Sequence, residues 1–308
     1  MFEQLREHLA GVVAIAVTPF DGAGRIDEGP FVRIVERMVD AGIRVVTPNG
    51  NTSEYYSLTD AERARCLDLA VGAVGGRATI LAGVGGSVAS AVEAAIQARE
   101  AGADAIMVHQ PAHPFVSNAG WLEYHREIAR AVPELGVVLY LRNARITGAT
   151  IADLARSAPN LVGVKYAVAD PVRFGTVLRE CPDTELVWIA GLAELSAPGY
   201  WALGASGFTS GFANVDPGLS LRMLDALRRG DTRAAMQVWD LIRPFEELRA
   251  LNESENNVSV VKEALAQLGL CAADVRPPIS ALGSRDKELV TAMMDLWSPE
   301  AVRQRATA

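Results

Sequence analysis

Short apolar runs rich in β-branched residues recur through the first two thirds of the chain. They are VVAIAV from Val12, IRVVTP from Ile43, ATILAGV from Ala78, ADAIMV from Ala103, GVVLYL from Gly136, LVGVKY from Leu161, LVWIA from Leu186 and GASGFT from Gly204. Their starts lie about 28 residues apart, the length of one strand-plus-helix unit. Between them, apolar residues return at helical spacing, as at Phe31, Ile34, Val35 and Met38 or at Leu67, Ala70, Val71 and Val74. Thr59 followed by Glu62 reads as a capping box, and Ser87 opens a helix containing Val92, Ala95 and Ile96.

Most runs are apolar without alternation, the pattern of strands covered on both faces, which predicts a parallel sheet. Eight such units closing on themselves give an α/β fold of the (β/α)8 TIM-barrel type. A doubly wound open sheet is the rival architecture, but eight near-even units without a GxGxxG turn favour the barrel. From Asp231 onward the pattern is helical alone, through Ala234 to Leu251, Val258 to Leu268 and Lys287 to Leu296. The expected organisation is a barrel catalytic domain over residues 1–230 and a C-terminal three-helix extension over 231–308 packed on it.

The chain has 308 residues, is 50% hydrophobic and 21% charged, and carries a formal charge of -8 with no block of like charges. That excludes an electropositive footprint for nucleic acid or anionic lipid. No run approaches a membrane span, and the apolar stretch from Leu9 to Val17 follows Glu3 and Glu7 without a cleavage pattern, unlike a signal peptide. Cys66, Cys181 and Cys271 are widely spaced, so reduced thiols in the cytoplasm are expected rather than a disulfide framework or zinc site. His109 and His113 are four apart, but Pro111 and Pro114 interrupt the helix that would align them as ligands. No GxSxG elbow occurs, and neither a metal nor another cofactor is expected.

In a barrel of this kind chemistry gathers at the carboxyl ends of the strands and in the loops beyond them. The 29 basic residues include only three lysines, Lys165, Lys262 and Lys287. Lys165 sits within the apolar sixth run, where burial would disfavour its ammonium form and leave an amine able to attack a carbonyl. A structural lysine paired with a buried carboxylate is the competing explanation. Lys262 and Lys287 have polar neighbours and are expected to be solvated. Tyr140 ends the neighbouring fifth run, positioned for proton transfer above the amine, or else simply a core tyrosine. Arg142 and Arg145 come next, either of which could fork onto a carboxylate or lie on the surface. Gly50-Asn-Thr-Ser-Glu54 follows the second run and suits a small anion.

Together, Ala14-Ile-Ala-Val-Thr-Pro-Phe20, Gly50 to Glu54, Tyr140, Gly163-Val-Lys165 and Gly204-Ala-Ser-Gly-Phe-Thr-Ser210 resemble, in order and spacing, the dihydrodipicolinate synthase / N-acetylneuraminate lyase family. The resemblance covers nearly the whole chain. It implies a class I aldolase-type barrel, a homotetramer of tight dimers, and a lysine imine with pyruvate or another 2-oxo acid. By that resemblance Lys165 is the Schiff-base residue, Tyr140 the proton shuttle, and Thr52 a ligand of the substrate carboxylate. Asn51 stands where the family's first threonine links the tyrosine to a proton relay, and the relay's third member, a tyrosine from a neighbouring subunit, is replaced near His113. Arg145 falls about where the synthase binds the carboxylate of aspartate semialdehyde, and Gly191 and Thr209 complete the substrate-binding set.

Gly207-Phe-Thr-Ser210 and Arg243-Pro-Phe-Glu-Glu-Leu-Arg249 are more similar to the branch containing 5-dehydro-4-deoxyglucarate dehydratase. The leading expectation is therefore a Schiff-base lyase, either a pyruvate-type aldolase or a dehydratase of a sugar-acid-derived 2-oxo acid. The alternatives are 4-hydroxy-tetrahydrodipicolinate synthase, condensing pyruvate with aspartate semialdehyde, and a non-catalytic 2-oxo acid binding homologue.

Overall fold

The computed structural model describes residues 2–182 and 184–297. Helix α1 (Glu3–Leu9) leads into β1 (Val12–Ile15) and α2 (Glu28–Asp40). The alternation continues through β2 (Val45–Thr47) and α3 (Asp60–Val74), β3 (Thr79–Val84) and α4 (Val88–Ala101), then β4 (Ala105–Val108) and α5 (Asn118–Ala131). It closes with β5 (Gly136–Leu141) and α6 (Gly148–Ser157), β6 (Leu161–Tyr166) and α7 (Pro171–Arg179), β7 (Val187–Ala190) and α8 (Ala193–Leu203), and β8 (Gly207–Ser210) and α9 (Pro217–Arg228). The strands form one closed parallel barrel in sequence order, β8 pairing back onto β1. Every strand residue is buried, because the helices cover the outside and side chains fill the inside, which explains the missing alternation in the sequence.

Two apolar layers divide the strand residues by parity. Val13, Ile15, Val45, Leu81, Met107, Val138 and Tyr140 fill the barrel, whereas Val12, Ala14, Val46, Ile80, Val108, Leu139 and Val164 meet the helices. The Thr59–Glu62 capping box forms at the start of α3, and Ser87 caps α4. The eighth strand begins at Gly207 rather than Gly204, because Gly204 takes a left-handed conformation, φ 118°, that ends α8. Helix α1 carries no separate sequence signal, since its Leu9 merges with the apolar run of β1. Leu5 and Leu9 join the interior cluster and close the amino-terminal end of the barrel, and a Cβ on Gly136 would lie 2.3 Å from Leu5 Cδ2.

Beyond α9 come α10 (Thr232–Ser254), α11 (Ser259–Gln267) and α12 (Ser284–Trp297). Residues 298–308 of the expected extension lie outside the described residues. Helix α10 packs on α8 and α9, and Phe212, Phe245 and Trp297 meet edge to face.

Lys262 corrects the sequence expectation: it is fully buried, not solvated. Its polar neighbours in the chain say nothing of the cover that α11 receives on both sides. Nζ donates to Glu54 Oε1 at 2.5 Å and to the Asp274 carbonyl at 2.7 Å, 4.1 Å above the Phe20 ring. Burial pulls its pKa down while the Glu54 carboxylate opposes that shift. The other Glu54 oxygen accepts the Arg276 backbone N–H. Thus the C-terminal segment is tied to the loop after β2. Lys287, by contrast, stays partly exposed beside Glu263. Removing one partner of a buried pair strands the other charge, so Lys262→Met is expected to lower unfolding free energy by about 3–5 kcal/mol. Urea titration checks this, and the double change Lys262→Met with Glu54→Gln should recover part of the loss.

Candidate active site

Strands β5 and β6 pair with Tyr140 opposite Lys165. Both side chains point into the barrel: Tyr140 follows the inward parity of Val138, and Lys165 lies between the outward Val164 and Tyr166. Lys165 is 4% exposed, and its Nζ lies 4.2 Å from the Tyr140 ring centroid. The other two lysines have carboxylate partners, but among the described residues the Lys165 amine has neither an ion pair nor a hydrogen bond. Burial first, then the Arg142 and Arg249 guanidiniums, lower its pKa from the ordinary 10.5 to about 7. A substantial fraction of the amine is therefore unprotonated at neutral pH. Burial pushes the Tyr140 phenol up to about 12, against the pull of Arg142.

The loop after β2 reaches over this pair. Asn49 and Glu54 both adopt left-handed backbone conformations, φ 61° each, which folds the intervening segment tightly. Ser53 Oγ accepts the Gly50 N–H and donates to the Ala16 carbonyl, while Thr18 Oγ1 donates to the Ser53 carbonyl. A side chain at Gly50 would meet Ile15 Cγ2 at 2.4 Å. So held, the loop brings Asn51 Nδ2 to 2.8 Å from the Tyr140 hydroxyl. Thr52 is buried beside it, and among the described residues the Asn51 and Thr52 backbone N–H groups donate to no protein acceptor.

His109, for which the sequence argues against a metal-ligand role, braces the same loop. Its Nε2 donates to the Asn49 carbonyl at 2.8 Å, and its ring stacks on Tyr55 and meets Tyr140 edge-on. Burial drives its pKa to about 3, so the imidazole is neutral. The remaining expected site residues are distributed differently. Gly191 follows β7, its N–H donating to the Tyr166 carbonyl at 2.7 Å, and Thr209 Oγ1 donates to the Ala190 carbonyl at 3.4 Å. Arg145 turns to the Val116 carbonyl, and His113 lies on the same exposed loop, where its Nδ1 accepts the Phe115 N–H. Their contacts are with that loop rather than with Lys165 or Tyr140. A cleft between α3 and α4, lined by Arg63, Asp68, Glu93 and Gln97, lies apart from Lys165.

Behind β8 a buried polar cluster supports the rim. Ser210 and Ser220 both donate to Glu194 Oε1 at 2.6 Å. Burial, then the nearby Glu246, pushes Glu194 up to about 7. Glu246 accepts from Arg249 Nη1 at 2.5 Å, and Arg249 also donates to the Asn257 carbonyl and side chain. Any residue but glycine at 211 would drive its Cβ to within 2.4 Å of the Arg249 guanidinium.

A closed eight-strand barrel with an unpaired, desolvated lysine and a tyrosine at its carboxyl mouth is the architecture of a (β/α)8-barrel enzyme. The profile of the Dihydrodipicolinate synthetase family matches residues 8–296. A 4-hydroxy-tetrahydrodipicolinate synthase of Bartonella quintana (strain Toulouse) is 33% identical over 291 residues, covering 93% of this chain and 97% of that one. A probable 5-dehydro-4-deoxyglucarate dehydratase of Methylobacterium radiotolerans is 32% identical over 289 residues, covering 92% and 94%. The crystal structure of dihydrodipicolinate synthase from Bacillus clausii aligns with a TM-score of 0.92 at 41% identity, over 95% of this chain and 99% of that one. The chain belongs to the Dihydrodipicolinate synthetase family and is a lyase.

The lowered lysine pKa has a consequence for stability. The unfolded chain binds more protons than the native one between about 7 and 10.5, so the cost of burying Lys165 is complete below about 7 and vanishes as pH rises past 10.5. Lys165→Met is therefore expected to raise the melting temperature more at pH 6.5 than at pH 10.5, as scanning calorimetry at the two pH values would show.

Proposed function

We propose that Lys165 forms an imine with the keto carbon of a 2-oxo acid. The observation that carries this reading is the buried amine, without a carboxylate partner among the described residues and 4.2 Å from the centroid of the Tyr140 ring. In this mechanism the neutral amine adds to the C2 carbonyl, and the carbonyl oxygen leaves as water after taking up protons. The protonated imine then draws electrons from the adjacent C3–H bond, and loss of that proton gives an enamine. Tyr140 moves these protons, while the Asn51 and Thr52 backbone N–H groups and the Thr52 hydroxyl hold the substrate carboxylate.

Dehydration of a sugar-acid-derived 2-oxo acid is the leading reading of the enamine's fate. The proton taken from C3 returns to the hydroxyl leaving C4, so one substrate supplies and receives it. Asn51 supports this cycle because an amide, whichever way it is turned, carries no proton onward from Tyr140. Condensation of pyruvate with aspartate semialdehyde is the second reading, favoured by the names of the Bartonella quintana and Bacillus clausii relatives. Assembly as a homotetramer is part of the proposal, supported by Phe115, 86% exposed beside His113, and by Tyr56, both left uncovered by the single chain.

Borohydride reduction in the presence of pyruvate should leave one adduct, mapped to Lys165 by peptide mass. Lys165→Ala should show none, and an adduct elsewhere would overturn the mechanism. The initial trapping rate should rise with pH and reach half its plateau near 7, following the free amine. Tyr140→Phe should retain binding while turnover falls by roughly 10²–10⁴-fold, the usual worth of a general acid-base group. Parallel assays with 5-dehydro-4-deoxyglucarate, and with pyruvate plus aspartate semialdehyde, separate the two readings.

A further inference from the structure

We propose that Glu194 is a positioning residue that works as a neutral, protonated acid: it braces the carboxyl end of β8 at the mouth, and loss of its proton loosens that brace and weakens binding of the 2-oxo acid. The proposal rests on the imine reading and adds to it a residue that acts through others. Glu194 lies in the first turn of α8, just beyond β7, the strand whose Ile189 pairs with Lys165. The preceding Ala193 takes a left-handed conformation, φ 56°, which a residue with a Cβ adopts rarely. Glu194 follows that turn into the interior and is 0% exposed.

The hydrogen bonds around Glu194 suit an acid better than a carboxylate. Ser210 from β8 and Ser220 from α9 both donate to Oε1 at 2.6 Å, and Ser210 Oγ also accepts the Ala213 N–H at 2.8 Å. Oε2 is buried and has no partner among the described residues. Arg249 lies against the neighbouring Gly211, but it bonds Glu246 and Asn257 instead. β7 is apolar, Arg173 and Arg179 of α7 bond backbone carbonyls, Arg222 and Asp225 of α9 are exposed, and Arg243 of α10 pairs with Glu247. Glu246 and Arg249 are thus the charges that face Glu194, and they neutralise each other. A buried charge without a counter-ion costs far more than a buried hydroxyl without an acceptor, so this arrangement favours the acid. Burial first, then Glu246, raise the pKa accordingly from 4.5 to about 7.

The brace grips the outer side of β8 and acts on its inner side. Ser210 pairs with Ala14, which meets the helices, and Thr209 pairs with Val13, which fills the barrel. The two neighbours therefore point to opposite faces. Anchoring Ser210 fixes the height and direction of Thr209 at the mouth, where its hydroxyl meets the Ala190 carbonyl. When Glu194 ionises, two buried carboxylates compete for one guanidinium, and Arg249 is drawn from Glu246 toward Glu194. A Cβ on Gly211 would lie 2.4 Å from Arg249 Nη2, so a shift of that guanidinium is passed to the backbone beside Ser210.

Infrared difference spectra between the full-length wild type and Glu194→Gln test the proton itself. The carbonyl stretch of a protonated carboxylic acid should appear in the difference at pH 6 and be gone at pH 8.5. Borohydride trapping of pyruvate over a concentration series at the same two pH values tests the positioning. Lys165 titrates in both proteins, so the wild-type-to-variant ratio of half-saturating concentrations isolates Glu194. That ratio should rise by roughly threefold to tenfold from pH 6 to pH 8.5, the worth of one hydrogen bond, while the trapping rate at saturating pyruvate keeps one pH profile in both. If Glu194→Gln does not fold, Ser220→Ala takes its place: loss of one donor to Oε1 should shift the frequency of the band. No band at pH 6, a band unmoved by Ser220→Ala, or a ratio independent of pH would overturn the assignment. Failure of the wild type to trap pyruvate would overturn the imine reading, and the positioning role with it, even where the band appears.

Discussion

An amine withdrawn from water, with no counter-charge among the described residues, is the constraint around which the mouth of this barrel is arranged. Desolvating an ammonium is costly, and the usual remedy is a carboxylate. The chain contains both solutions. Lys262 is buried against Glu54, whereas Lys165 is buried against the face of a phenol and under the field of two guanidiniums. One pair holds the chain together. The other arrangement leaves the lysine destabilised as a cation, the property that the proposed nucleophilic role requires. The rest of the barrel must supply the stability that this position subtracts.

The two lysines are also mechanically related. Glu54, which neutralises Lys262, terminates the five-residue loop whose Asn51 reaches Tyr140. His109 holds the opposite end of that loop through the Asn49 carbonyl. Asn51 therefore sits between two anchors, one drawn from the C-terminal extension and one from the end of β4. The extension takes part in shaping the mouth, as an outer shell of contacts often does around a preorganised site.

The strands were legible because a parallel barrel buries both faces, so their sequences are uninterrupted apolar runs and a lysine among them stands out. Tyr140 could be paired with Lys165 from strand order alone. Lys262 was not legible, because its partner is 208 residues distant and α11 presents Glu263 and Gln267 as misleading local context. Arg142 and Arg145 could not be ranked from sequence, since a loop of unknown course separates the strand from α6. Helix α1 was hidden because its last leucine continues into the apolar run of the first strand.

Helix α1 also determines the traffic through the molecule. With Leu5 and Leu9 wedged into the amino-terminal end, that end of the barrel is stoppered by apolar side chains. On the imine mechanism proposed for Lys165, an acid and the water it releases would then exchange at the carboxyl mouth, and the loops there would govern both arrival and departure.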